Sequence, residues 1–208
     1  MKVGILGSGQ VGQTLAQGFS SKGHDVMVGT RDPKAKGGLK LGKAKLGTFA
    51  EAARHGDILV LCVHGSNVAE AVSAAGAENM ARKLVLDTSN PLGPGPGGMH
   101  KPANIPDSCL QVAQRAAPQA NFVKAWNCTP GAQMVDPKFK EGVGDQFICG
   151  DDAKAKAQAA TVLKEFGWNT ADVGDASMAP YIEGMALAAI NWAIKANDWT
   201  WGLKIVRG

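Results

Sequence analysis

Along the chain, short runs that are apolar on both faces alternate with segments whose apolar positions recur every three to four residues. The first run, Val3-Gly4-Ile5-Leu6, predicts a buried strand, and Val11, Leu15 and Phe19 then recur at i, i+4 and i+8 on one face of a helix. Lys22-Gly23 closes that helix with a basic residue followed by glycine. A second strand is expected over 24–31, and a short helix over 48–56 opened by a capping box of Thr48 and Glu51. Further on, the pattern predicts strands at 58–63, 84–87, 121–125, 146–149 and 169–173, with helices at 66–75, 107–117 and 151–166. Strands that are apolar throughout and separated by helices imply a parallel sheet covered on both sides. The fold class expected is α/β, a Rossmann-type doubly wound, mainly parallel sheet with a short helical C-terminal extension.

Two segments stand outside this rhythm. The connection 90–106, rich in Gly and Pro, is long for an irregular loop, which suits either a functional loop or a plain surface connection. The stretch 184–195 is apolar on almost every side, so it is expected to be a helix buried against the sheet or against a second subunit. Trp192, Trp199 and Trp201 on or beside it favour a homodimer, with packing inside one chain as the alternative. Residues 1–125 are expected to form a nucleotide-binding core, with 126–208 a smaller part packed on it rather than an independent domain.

The turn between the first strand and helix carries the chemistry. In Gly7-Ser8-Gly9-Gln10-Val11-Gly12 the first glycine permits a tight turn, the second lets backbone approach a pyrophosphate, and the third lets the helix pack on the strand. This is a dinucleotide-binding fingerprint in its proper setting of strand, turn and helix. At the tip of the second strand an NAD enzyme usually presents a carboxylate to the ribose 2′-hydroxyl. Here Thr30 offers a hydroxyl and Arg31 a planar guanidinium suited to a 2′-phosphate, which favours NADP(H). Lys34, Lys36, Lys40, Lys43 and Lys45 add positive field, or simply form a solvated basic loop. Asp32 keeps an NAD reading open.

Composition narrows the remaining classes. With 45% hydrophobic and 19% charged residues, 208 residues suffice for one globular core. A formal charge of +4 without an aromatic-rich basic stripe argues against nucleic acid as partner, and a small-molecule acceptor is expected instead. The apolar helix is too short for a membrane span, and Met1-Lys2-Val3 runs straight into a strand with no secretory leader, so a cytoplasmic location is expected. Cys62, Cys109, Cys128 and Cys149 are too scattered for a zinc or redox pair, and no metal site is expected.

The chain resembles the small NADPH-dependent reductases of coenzyme F420, a 5-deazaflavin, and their relatives among dinucleotide-binding proteins. The resemblance runs nearly end to end. It rests on Gly7 to Gly12, on Val28-Gly29-Thr30-Arg31, on Lys124-Ala125-Trp126-Asn127-Cys128-Thr129-Pro130-Gly131-Ala132, on Cys149-Gly150-Asp151-Asp152 and on Trp201-Gly202-Leu203-Lys204-Ile205. It implies that Thr30 and Arg31 hold the 2′-phosphate, and that Val63, His64, Asn90 and Pro91 line the cofactor. It also implies that Asn127, Thr129 and Leu203 flank the nicotinamide and a deazaflavin or flavin-like acceptor. Asn127 and Thr129 depart from the residues of the deazaflavin users, so the acceptor stays open. The implied chemistry is direct hydride transfer, which needs reacting carbons about 3 to 3.5 Å apart and little side-chain acid–base help.

The residues themselves offer no catalytic set. Tyr181 lacks a lysine four residues on, and Asn191 and Lys195 read as structural. His64 is the one candidate catalytic residue, as proton donor to a carbonyl or imine, against a plainer role beside the cofactor. Cys128 is a reactive thiol if exposed, and otherwise inert. An NADPH-dependent oxidoreductase is therefore expected, with an NADP(H)-sensing module or a small carbonyl or imine reductase as alternatives.

Overall fold

The computed structural model describes residues 1–34, 38–105 and 107–208, so Lys36 and Pro106 of the readings above lie outside the described residues. In chain order the elements are β1 (Lys2–Leu6), α1 (Gln10–Ser21), β2 (Asp25–Thr30), β3 (Lys45–Thr48), α2 (Phe49–His55), β4 (Ile58–Leu61), α3 (Val68–Ala75) and α4 (Ala77–Met80). There follow β5 (Leu84–Asp87), β6 (Leu92–Pro94), β7 (His100–Pro102), α5 (Cys109–Ala116), β8 (Asn121–Lys124), β9 (Asp145–Ile148), α6 (Ala153–Glu165), β10 (Asn169–Asp172) and α7 (Ala179–Ala196).

Six strands form one parallel sheet in the order β3-β2-β1-β4-β5-β8. The chain winds outward from β1 through β2 to β3, then returns to the other side of β1 for β4. Strand order therefore reverses between β1 and β4, and a ligand crevice opens beyond the carboxyl ends of the strands at such a point. β4 shows why its sequence is apolar throughout: Ile58 and Val60 enter one buried cluster and Leu59 and Leu61 the other, on opposite faces of the sheet. Both clusters draw residues from either side of position 125, since Trp126 and Phe166 join Phe19 in one and Cys128 and Ile182 join Leu61 in the other.

The predicted doubly wound α/β sheet is thus observed, and the capping box of Thr48 and Glu51 is present on both of its bonds. Two expectations are corrected. The segment 31–45, read as a loop, ends in β3, because Lys45 to Thr48 complete the sheet edge against Met27 to Thr30. The connection 90–106 holds the antiparallel hairpin β6–β7. Asn191 clamps that hairpin to α7, accepting from the His100 N–H at 2.7 Å and donating to its carbonyl at 2.8 Å, in keeping with a structural role for Asn191. Within the single chain α7 buries one stripe: Ile182, Glu183, Ala186 and Ala193 face inward, whereas Tyr181 is 67% exposed and Trp192 51%. One stripe suffices to pack on α5 and β7, leaving the opposite face bare in the single chain. Among the described residues no helix is long and apolar enough to cross a membrane.

Beyond β8 the sheet continues differently. The parallel pair β9–β10 meets it through an antiparallel bridge of Lys124 with Cys149, the residues that end β8 and follow β9. Antiparallel pairing at the end of β8 places the start of β9 past the carboxyl edge of the main sheet, on the side where the crevice opens.

Candidate functional site

The three fingerprint glycines do three separable jobs. Gly7 sits at φ +132°, a conformation closed to side chains, and a Cβ there would lie 2.1 Å from the Cys62 carbonyl oxygen. A Cβ on Gly12 would lie 2.0 Å from the Gly7 carbonyl oxygen, so α1 rides directly on the turn. Gly9, by contrast, has no atom of the described residues beyond its own chain neighbours within 4 Å of the place its Cβ would take. That open cradle at the N-terminus of α1 is what backbone approach to a pyrophosphate requires. The turn is held by Ser8, whose hydroxyl donates to Thr30 Oγ1 at 3.2 Å and whose carbonyl accepts from Gln13 Nε2 at 3.1 Å.

A cavity of about 410 Å³ lies against this turn, within the usual size for a small-molecule site. Gly7, Ser8, Gly9, Thr30, Arg31, Val63 and His64 all line it. Gln10 and Val11 lie behind the turn in the first helical turn, with Gly12 buried beneath. Thr30 is buried, while the Arg31 guanidinium stands at the mouth, 70% exposed. Sequence reasoning missed its opposite number: Glu70 on α3 reaches across to Arg31 Nη1 at 3.8 Å, and Asp32 also lines the cavity. The His64 imidazole caps its own loop, with Nδ1 2.9 Å from Ser66 Oγ, and it also borders a second cavity walled by the β6–β7 hairpin.

The other predicted residues gather further along the same carboxyl edge. Asn90 and Asn127 follow β5 and β8 and are locked together: Asn90 Nδ2 donates to the Asn127 carbonyl at 2.8 Å, and Asn127 Nδ2 to Asn90 Oδ1 at 3.0 Å. With Asn127 Nδ2 also 3.4 Å from the Ile182 carbonyl, its Oδ1 is turned away, buried and without a donor among the described residues. A buried acceptor left unpaired costs about 1 to 3 kcal/mol, which a carboxamide N–H would relieve. Pro91 leads into the hairpin, its carbonyl accepting from Ala103 N–H at 2.7 Å. Thr129 is buried and accepts from Gln146 Nε2. Leu203 packs on the same cluster as Cys128, and its carbonyl accepts from Asp145 N–H at 2.8 Å, beside Gln146. Cys128 is buried and desolvation pushes its thiol up to about 12, so it is inert.

Open space at Gly9 and the unpaired oxygen of Asn127 both fit a dinucleotide laid along this edge. Fold and site together define a nucleotide-binding domain of the oxidoreductase type. Residues 2–91 match the family described as NADP oxidoreductase coenzyme F420-dependent. The crystal structure of a protein from Arthrobacter sp. FB24, assigned as an F420-dependent NADP reductase, is 33% identical and superposes with a TM-score of 0.92, covering 100% of both chains. The chain therefore belongs to the F420-dependent NADP oxidoreductase family and is an NADP-dependent oxidoreductase. Metalloreductase STEAP3 of Rattus norvegicus is 27% identical over 194 residues, 93% of this chain and 38% of that protein, so the chain spans about two fifths of this curated relative's length. The reductive aminase of Aspergillus terreus in complex with NADPH is 20% identical with a TM-score of 0.67, over 94% of this chain and 62% of that one, and shows the fold alone.

Proposed function

We propose that the protein transfers a hydride between NADP(H) and a deazaflavin such as F420, or a flavin-like acceptor, bound past the carboxyl ends of β5 and β8. The observation that carries this reading is the pairing of Asn90 with Asn127 past β5 and β8, with Thr129 and Leu203 joined to each other through β9 and Asn127 Oδ1 unpaired. NADP(H), when bound, supplies or accepts the hydride. The turn at Gly7–Gly9 and the N-terminus of α1 would hold the pyrophosphate, Thr30 and Arg31 the 2′-phosphate, and Asn127 the carboxamide. Apolar packing around Cys128 and Leu203 keeps water from the transfer site. Direct hydride transfer needs no side chain to move a proton.

The test is NADPH oxidation by the purified protein with F420, FMN, FAD and ferric chelates in parallel, with NADH as control donor. Fast, NADPH-selective turnover with the deazaflavin is expected. Turnover with a carbonyl or imine that disappears in His64→Ala would replace this reading, and tight NADPH binding without turnover would favour a sensor. We also propose that the bare face of α7, with Tyr181, Met185 and Trp192, joins two copies into a homodimer; sedimentation of the wild type against Trp192→Lys tests this.

A further inference from the structure

Asp87, Lys124 and Glu183 are three charged side chains with 0%, 0% and 1% of their surface exposed, and the hydride-transfer reading uses none of them. They end β5, end β8 and lie in the second turn of α7. Lys124 Nζ spends its three hydrogens on Asp87 Oδ2 at 2.5 Å, Glu183 Oε1 at 2.6 Å and the Ser89 carbonyl at 2.9 Å. The second oxygen of Asp87 accepts the Ser89 N–H at 2.9 Å and its hydroxyl at 2.5 Å. Glu183 takes the N–H groups of Cys109 at 3.1 Å and Leu110 at 3.4 Å, at the start of α5. Burial pulls the Lys124 ammonium down, but the two carboxylates more than offset it and keep it charged, while burial pushes the Glu183 carboxyl up.

Such a triad is a poor means of stabilising a core, because apolar side chains of equal volume commonly do as well. What it does here is converge on one point. Ser89 is held at its N–H, its hydroxyl and its carbonyl, and the next residue is Asn90, which fixes Asn127 by two hydrogen bonds. Ile182, the neighbour of Glu183, presents its carbonyl to Asn127 Nδ2 and Cys128 Sγ. The bonds that the Asn127 amide makes to Asn90 and Ile182 thus lead back to the triad within one or two residues.

We infer that Asp87, Lys124 and Glu183 are positioning residues that aim Asn127 Oδ1 at the nicotinamide half of the cofactor, without touching the adenosine half. The inference rests on the NADP(H) reading of the cleft. The experiment compares affinity for NADPH with affinity for 2′,5′-ADP, which carries the adenosine phosphates and lacks the nicotinamide, in the wild type, Glu183→Gln and Asn127→Ala. Should Glu183→Gln fail to fold, the charge-free variant Asp87→Asn/Lys124→Met/Glu183→Gln replaces it, since no unpaired charge is then buried. NADPH is expected to weaken about tenfold in each variant, the loss of one well-made hydrogen bond, with 2′,5′-ADP unchanged. Equal weakening of both ligands, or unchanged NADPH affinity in a folded variant, overturns the inference. A wild type that binds neither ligand overturns the NADP(H) reading itself, and the inference with it.

Discussion

The two ends of the cleft are built in opposite ways. At the proposed phosphate end, Gly7, Ser8, Gly9 and Gly12 come from one stretch of chain, backbone would do the recognition, and the Arg31 side chain stands 70% exposed beside Glu70. At the end where the nicotinamide is proposed to lie, residues 87, 89, 90, 124, 127, 182 and 183 come from three separate segments, and buried charge is inferred to fix one amide. A local backbone device tolerates change in the rest of the protein. A device assembled from distant side chains ties ligand geometry to the integrity of the core.

That contrast can be broken most forcefully by Lys124→Met alone, which leaves two carboxylates buried without their cation. The cost should be about 3 to 5 kcal/mol, read as a fall in thermal midpoint, whereas no single side chain truncation at the phosphate end should approach it. Next in size is Arg31→Ala, expected to lose about 1.5 to 3 kcal/mol of NADPH affinity in calorimetry with little change for NADH; equal effects on both would show that Arg31 does not read the 2′-phosphate. Gly9→Val should leave the thermal midpoint nearly unmoved, because its side chain enters open space, yet weaken NADPH and NADH alike by about 2 kcal/mol through the lost approach to the helix N-terminus. The smallest effect, and of opposite sign, belongs to Glu70→Gln. Removing the competing carboxylate from an exposed pair should strengthen NADPH binding by under about 1 kcal/mol, and more at low salt than at high.

The same division explains what was legible beforehand. β1, α1, β4, β5 and β8 follow from periodicity and from glycines whose roles are local, and the 2′-phosphate candidates Thr30 and Arg31 follow from their place at a strand tip. β3 and the β6–β7 hairpin were hidden because their strands are short, lie at an edge or outside the main sheet, and include Lys, Gly and Pro. The triad was hidden because its members are far apart in the chain. Its trace was present all the same: Asp87 and Lys124 each follow buried apolar residues at the end of a strand, and Glu183 is the lone acid in α7. A charge at the inner end of a buried strand needs a partner, and pairing these by sign would have joined β5, β8 and α7. Glu70 carried no such signal, since an exposed acid in the first turn of a helix is ordinary.

The claim on which the functional account turns is direct hydride transfer to a ring bound beside Asn127 and Leu203. It is tested most directly by giving the protein NADPH deuterated at the transferred position of nicotinamide C4, with F420 as acceptor. The account predicts that the deuterium arrives on the reduced deazaflavin without exchange with solvent, and that NADH deuterated in the same way donates far more slowly. Deazaflavin that stays oxidised while NADPH is bound, or label lost to water, would contradict it.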